Sequence, residues 1–289
     1  MTRTGCDHVM RIVRRIGVAT ALVGSVSATA HAQNVMLQIK PRVGDTLRLR
    51  IEQEIERTGV GKVRGADTTI TMRSSLLMLS RSIVVQSDDD GTVVRSITDS
   101  VAVDVGALDP RVASWSDQAR RALQGKEVRV RFSREGSATV VAADPGIPRD
   151  LQSAFSQLPA TFPRHRVSVG STWTQRIPIP DAGPGQLAGT LEAVLRLDSL
   201  TRGGKRAHIS LRGTLTRDTA AAPMAGGGRR TMTGTVTGFM VLDRSRGWVT
   251  DASTEVSVNS HIEPPAGSTL QPVKMRMRLV QRQRTMDKP

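Results

Sequence analysis

Apolar and charged residues alternate strictly along much of this chain. Leu47, Leu49 and Ile51 alternate with Arg48, Arg50 and Glu52, and Val128, Val130 and Phe132 with Arg129 and Arg131. Val273, Met275, Met277 and Leu279 alternate with Lys274, Arg276 and Arg278. Successive strand side chains point to opposite faces, so each run predicts a half-buried antiparallel strand with one apolar face and one hydrated, basic face. Charges on the wet face also oppose edge-to-edge aggregation.

Turn chemistry separates the runs at hairpin spacing. Asp88-Asp89-Asp90-Gly91 divides 82–86 from 92–105, Gly203-Gly204 divides 191–200 from 205–216, and 243–247 divides 235–242 from 248–258. Glycine reaches positive φ without steric cost and aspartate bonds its own backbone, so these predict a meander of long hairpins. Two helices interrupt it. Asp109-Pro110 reads as a cap with proline in the first turn, Val112, Trp115, Ala119 and Ala122 then share a face, and Gly125 is the stop. In 148–158, Leu151, Ala154, Phe155 and Leu158 form a stripe before Pro159. The expected fold is mainly β (α+β): a strongly curved antiparallel sheet or half-barrel of two related halves, with both helices on its concave side.

Arg42-Val43-Gly44-Asp45-Thr46-Leu47 is echoed by Ser168-Val169-Gly170-Ser171-Thr172-Trp173, each opening a strand before a long hairpin. The expected domain is therefore 34–289, with an internal duplication over 34–145 and 165–289. Residues 217–230, with Ala220-Ala221-Ala222 and Gly226-Gly227-Gly228, lack periodicity and predict a flexible loop.

The first 33 residues read differently. Arg11, Arg14 and Arg15 precede an uncharged apolar run over 16–26, and Ala30-His31-Ala32 precedes Gln33. A positive start, a short apolar middle and small residues at −3 and −1 predict a cleaved signal peptide and a periplasmic or secreted protein. The run is too short for a membrane span, which needs about 20 residues, and no later segment supplies one. A start at Met10 gives a signal of ordinary length, with Met1 as the alternative start. Arg14-Arg15 fits a twin-arginine route less well than general secretion. Cys6 lies ahead of the apolar run, where it cannot be the acylated cysteine of a lipoprotein.

Beyond residue 33 there is no cysteine, so an oxidising compartment adds no disulfide and the core must hold unaided. The formal net charge of +15 raises anionic partners. Nucleic acid is not expected, because the chain has no Tyr, four Phe and three Trp, too few for stacking platforms. No metal or cofactor site is predicted. His165, His208 and His261 lack zinc spacing, and the acidic turn at 88–91 lacks the first and twelfth ligands of a calcium loop. No glycine-flanked nucleophile serine occurs, so no catalytic residue is assigned. A membrane β-barrel is disfavoured by the absence of Tyr and the outward arginines.

Leu158-Pro159-Ala160-Thr161-Phe162-Pro163 followed by 167–173, together with Lys40-Pro41-Arg42-Val43-Gly44-Asp45, resembles an uncharacterised family of bacterial exported proteins and lipoproteins. Those proteins carry K-x-x-x-G-D near the mature start and P-x-x-x-V-x-x-G-x-x-W in mid-chain. The motif residues are turn and packing positions, and the resemblance implies no catalytic role. More distantly, the element order resembles the lipoprotein-carrier type of open half-barrel, which implies binding of acyl chains or other hydrophobic ligands.

Three functions follow as expectations. The first is a non-enzymatic envelope protein holding a lipid-like ligand between sheet and helices, with Leu77, Leu79, Trp115, Leu151, Phe155, Met275 and Met277 as lining; the alternative for these residues is a plain core. The second is docking on anionic envelope polymer through Arg48, Arg50, Arg129, Arg131, Lys274, Arg276 and Arg278. The third is a hydrolase with a scattered site. The sequence leaves the oligomeric state open.

Overall fold

The computed structural model describes residues 34–289 except 64–65, 107–116, 118–119, 148–160, 180–188, 217–228, 266, 270 and 287–289. The expected leader, the helix at 148–158, most of the helix around 110–124 and the loop at 217–228 therefore lie outside the described residues. Of the first helix, residues 120–123 are helical and end at Gly125, whose φ is 73°. No helix among the described residues is long and apolar enough to cross a membrane.

The alternating runs are strands, as expected. They are β1 (Thr46–Val63), β2 (Ala66–Asp88), β3 (Gly91–Val105), β4 (Glu127–Phe132), β5 (Ala138–Ala143), β6 (Thr172–Ile179), β7 (Gly189–Thr201), β8 (Arg206–Thr216), β9 (Arg229–Asp243), β10 (Trp248–Glu263) and β11 (Val273–Met286). They form one antiparallel sheet in the order β5-β4-β3-β2-β1-β11-β10-β9-β8-β7-β6. Two meanders thus join where β1 pairs with β11, with Arg48 opposite Met286. The sheet is open, because β5 and β6 at its ends do not pair with each other. The turns at 88–91, 133–137, 202–205 and 243–247, and the starts of β1 and β6, gather at one end of the strands, here called the closed end.

The sheet curls tightly there. Phe132 on β4 and Trp248 on β10 are five strand steps apart, about 24 Å in a flat sheet at the usual strand spacing. Their ring centroids are nevertheless 5.2 Å apart, edge to face. Residues 34–41 run through the curl. Val35 and Val167 exchange both backbone hydrogen bonds (2.8 and 2.9 Å), Ile39 N donates to Arg134 O (2.9 Å), and Lys40 N donates to Gly247 O (2.9 Å). Val35, Leu37 and Ile39 are buried in one cluster with Leu47, Val84, Val94 and Val130 from one meander and Leu195, Leu197, Ile209 and Leu242 from the other. Each such buried aliphatic side chain stabilises the fold by about 1.5–3 kcal/mol.

Two arginines stitch the turns around this segment. Arg134 donates to the Asp88 carbonyl and lies 3.3 Å from Asp89, while Arg244 donates to the Gly204 carbonyl and to Met36 O (3.4 Å). The echoed motifs make one and the same turn. Gly44 N donates to Val84 O (2.9 Å) and Gly170 N to Leu197 O (2.7 Å). Asp45 Oδ2 accepts from Arg42 N and Ser171 Oγ from Ser168 N, both at 3.1 Å. Val43 and Val169 are exposed at the turn tips, where no packing selects them.

The turn after β9 is built on Asp243, which accepts from Ser245 N (3.0 Å), Ser245 Oγ (2.6 Å) and Arg246 N (3.1 Å). Burial alone would raise its carboxyl, but these donors outweigh it and hold the group below its ordinary value. Gly247, at φ 62°, lies where a Cβ would collide with the Lys40 backbone. Gly247→Ala is expected to cost about 2–3 kcal/mol through backbone strain and loss of the Lys40 contact, measured by urea unfolding. Because the Asp243 carboxylate is depressed, its stabilisation is complete above the ordinary value of 3.8 and is lost as the pH falls below it. Asp243→Asn is expected to lower stability by about 1–2 kcal/mol at pH 7 and to flatten the acid limb below pH 3.8, in unfolding curves recorded against pH.

Candidate functional site in the sheet interior

The face that carries buried Leu47 and Leu49 is the interior, and the strand register follows it from the closed end to the open one. Leu76, Gln53, Gln281, Thr254, Gly238, Leu211 and Leu195 stand opposite one another from β2 to β7. The next row outward is Ser74, Ile55, Leu279, Val256, Val236, Gly213 and Ala193, and the next is Met72, Arg57, Met277, Val258, Gly234, Leu215 and Leu191. A Cβ at Gly213, Gly234 or Gly238 would collide with a carbonyl of the neighbouring strand, so side-chain-free positions let β8 and β9 approach their neighbours closely.

The two sides of this interior differ in cover. On β7 to β10, Ala193, Leu195, Leu215, Met232, Val236 and Val258 are buried. On β1, β2 and β11, Ile55, Leu76, Met275, Met277 and Leu279 are only half-buried, and Met72 and Ile70 are 51% and 59% exposed. Gln53, Gln281 and Thr254 place amide and hydroxyl groups in the middle of this wall. The result is an amphiphilic trough: apolar surface continuous with the dry core, hydrogen-bonding groups halfway along, and the charged, exposed Arg57 farther out between Met72 and Met277.

Of the seven residues expected to line a cavity, Met275 and Met277 face the trough. Leu77 and Leu79 do not. They stand opposite Glu52 and Arg50 on the outer face, because Met78 pairs with Ile51 and thereby sets the parity of β2. Four consecutive apolar residues at 76–79 carry no alternation from which that parity could be read. Trp115, Leu151 and Phe155 lie outside the described residues. Ile55, Leu279, Val256 and Leu215 were missed as lining, although each sits in an alternating run whose parity was legible.

The outer face holds all seven basic residues expected there: Arg48, Arg50, Arg129, Arg131, Lys274, Arg276 and Arg278. It is also threaded with acids. Arg73 Nε lies 3.0 Å from Glu56 Oε2, Arg278 Nε 2.7 Å from Glu255 Oε1, Arg81 Nε 2.7 Å from Asp99 Oδ1 and Arg129 Nε 3.1 Å from Glu127 Oε1. Arg278's hydrogen bond and charge hold Glu255 below the usual carboxylate range, and the same bond makes Arg278 keep its proton more firmly. These pairs stand in water, which screens them, so the ladder organises the surface more than it stabilises it.

His208 also faces outward, opposite Val241, with Nε2 3.0 Å from Thr201 Oγ1, and His165 is exposed. No three metal-ligating side chains cluster among the described residues.

Residues 148–249 match a family of unknown function (DUF6263), a span that includes the mid-chain motif but not Lys40-Pro41-Arg42-Val43-Gly44-Asp45. No curated protein matches the chain. Among solved structures it is similar to one described as "lipid-protein interactions in lipovitellin", with a TM-score of 0.46 and 11% identity over 86% of this chain and 26% of that one. The chain thus spans about a quarter of that protein's length. It is also similar to the outer membrane protein OprG from Pseudomonas aeruginosa, with a TM-score of 0.23 and 9% identity over 86% of this chain and 99% of that one.

Proposed function

We propose that this chain is an exported, non-catalytic binding protein of the bacterial envelope whose curled sheet takes up an amphiphilic, lipid-like molecule along its interior. One observation carries the reading: interior rows that are apolar but for Arg57 and the mid-wall amides continue past the buried core onto β1, β2 and β11, where Ile55, Leu279, Met277 and Met72 keep exposed surface. Monomeric proteins leave such continuous apolar surface open chiefly where something covers it. Methionine suits the task, since its unbranched thioether adapts to flexible chains. An acyl chain laid on this wall gains about 0.8 kcal/mol per methylene removed from water. Gln53, Gln281 and Thr254 would receive a polar group that hydrocarbon surface cannot.

The reading is tested by titrating the purified chain with a fluorescent fatty acid. Saturable uptake is expected, weakened at least tenfold by Met277→Gln with Leu279→Gln and changed less than twofold by Leu77→Gln on the outer face. Thermal unfolding of each variant separates loss of binding from loss of fold. Absence of saturable uptake, or equal loss from the inward and outward substitutions, overturns the reading.

A further inference from the structure

A separate cavity of about 470 Å³ lies on the outer face near the open end. Two cross-strand rows build it, Thr58, Arg276 and Asn259 in one and Lys274, His261 and Thr231 in the next. These side chains alternate with inward Met232, Ser260 and Met275, which places the cavity on the side of the sheet opposite the amphiphilic trough. Toward the closed end the acids of the outer face stop one row short of it, and toward the open end Glu263 stands one row beyond it on β10. Glu56 is engaged by Arg73 and Glu255 by Arg278, whereas Lys274 and Arg276 make no ion pair among the described residues. His261 Nε2 lies 3.5 Å from Glu263 Oε1, and its Nδ1 is buried without a hydrogen-bond partner.

We propose that this cavity binds a phosphate-type oxyanion. Two cations with no carboxylate partner supply the charge complement, and cationic donors favour multiply accepting oxyanions over neutral ligands. Thr58, Thr231 and Asn259 bring hydroxyl and amide donors to the same walls, which the His261 ring also lines. Val60, 40% exposed at the rim, gives the group carrying the phosphate an apolar contact. The phosphate can belong to a phospholipid headgroup or be free in solution.

Calorimetric titration with inorganic phosphate and co-sedimentation with phosphatidylcholine vesicles, with and without phosphatidylglycerol, test the proposal and separate the two sources. Saturation by inorganic phosphate identifies the free anion, and saturable binding only to phosphatidylglycerol vesicles identifies the headgroup. Lys274→Gln with Arg276→Gln is expected to weaken the positive arm at least tenfold. Arg129→Gln with Arg131→Gln removes the same charge from the same face on β4 and is expected to weaken it less than threefold. In the unsubstituted protein, the imidazole ¹⁵N resonances of His261 are expected to shift on saturation. No saturable binding in either arm, equal loss from the two double variants, or unmoved His261 resonances overturns the proposal. None of these outcomes bears on the fatty-acid titration, which probes the other face.

Discussion

Everything in this structure depends on residues 34–41, which tie the two meanders to each other at the closed end. Twist curls an open sheet of eleven strands, but gives it no particular reason to bring β4 into contact with β10. The segment supplies one. Its backbone bonds to Val167, Arg134 and Gly247, which lie before β6, after β4 and before β10 in the chain, and its side chains fill the space enclosed between them. Val35, Leu37 and Ile39 bury alternate side chains like a strand, yet the backbone bonds of the segment go to a single antiparallel bridge with Val167 and to turn residues instead of a continuous ladder. Arg134 and Arg244 then bind neighbouring turns through carbonyl oxygens, so the closure rests on backbone acceptors that substitution elsewhere cannot remove.

Closing one end of the strands fixes what the other can be. With apolar cover concentrated around residues 34–41, the interior rows farther along β1, β2 and β11 have, among the described residues, only the facing strands to lie against. The smaller cluster of Leu215, Met232 and Val258 covers the β8 to β10 side, and Gly213, Gly234 and Gly238 let strands draw together there. No equivalent cluster forms on the β1 and β2 side among the described residues, where Ile70 and Met72 stay open. The trough is thus the direct result of an uneven distribution of core, dense at one end and on one flank.

The strands, their hairpin turns and the wet basic face were legible, because alternation and turn chemistry are local properties of sequence. Asp88-Asp89-Asp90-Gly91 and Asp243 to Gly247 form the turns their residues favour, and Gly44 and Gly170 make the same turn in their two echoed motifs. What was not legible is set by pairing at a distance. The parity of Leu76 to Leu79 is decided by Ile51 opposite Met78, and a continuous apolar run gives no clue to it. The role of residues 34–41 was likewise hidden, because its hydrogen-bond partners are carbonyls and amides, which every residue carries. The outer cavity escaped for a related reason: Thr58, Asn259 and Thr231 are ordinary strand residues until the register sets them beside Arg276 and Lys274.

Strand β11 shows how one short stretch serves both faces at once. Met275 and Met277 face the trough while Lys274, Arg276 and Arg278 face outward, and the two-residue period keeps the sets apart. Among the described residues, Arg278 alone of the three cations meets acids, because Glu56 and Glu255 sit in or beside its row, while the rows of Arg276 and Lys274 hold Thr58, Asn259, Val60 and His261. A slip of one residue in the pairing of β11 would turn methionines into water and cations into the interior, at a cost no exposed ion pair could offset. The register of this strand is therefore held by its inward apolar side chains, and the outward charges are free to be arranged for recognition instead of stability.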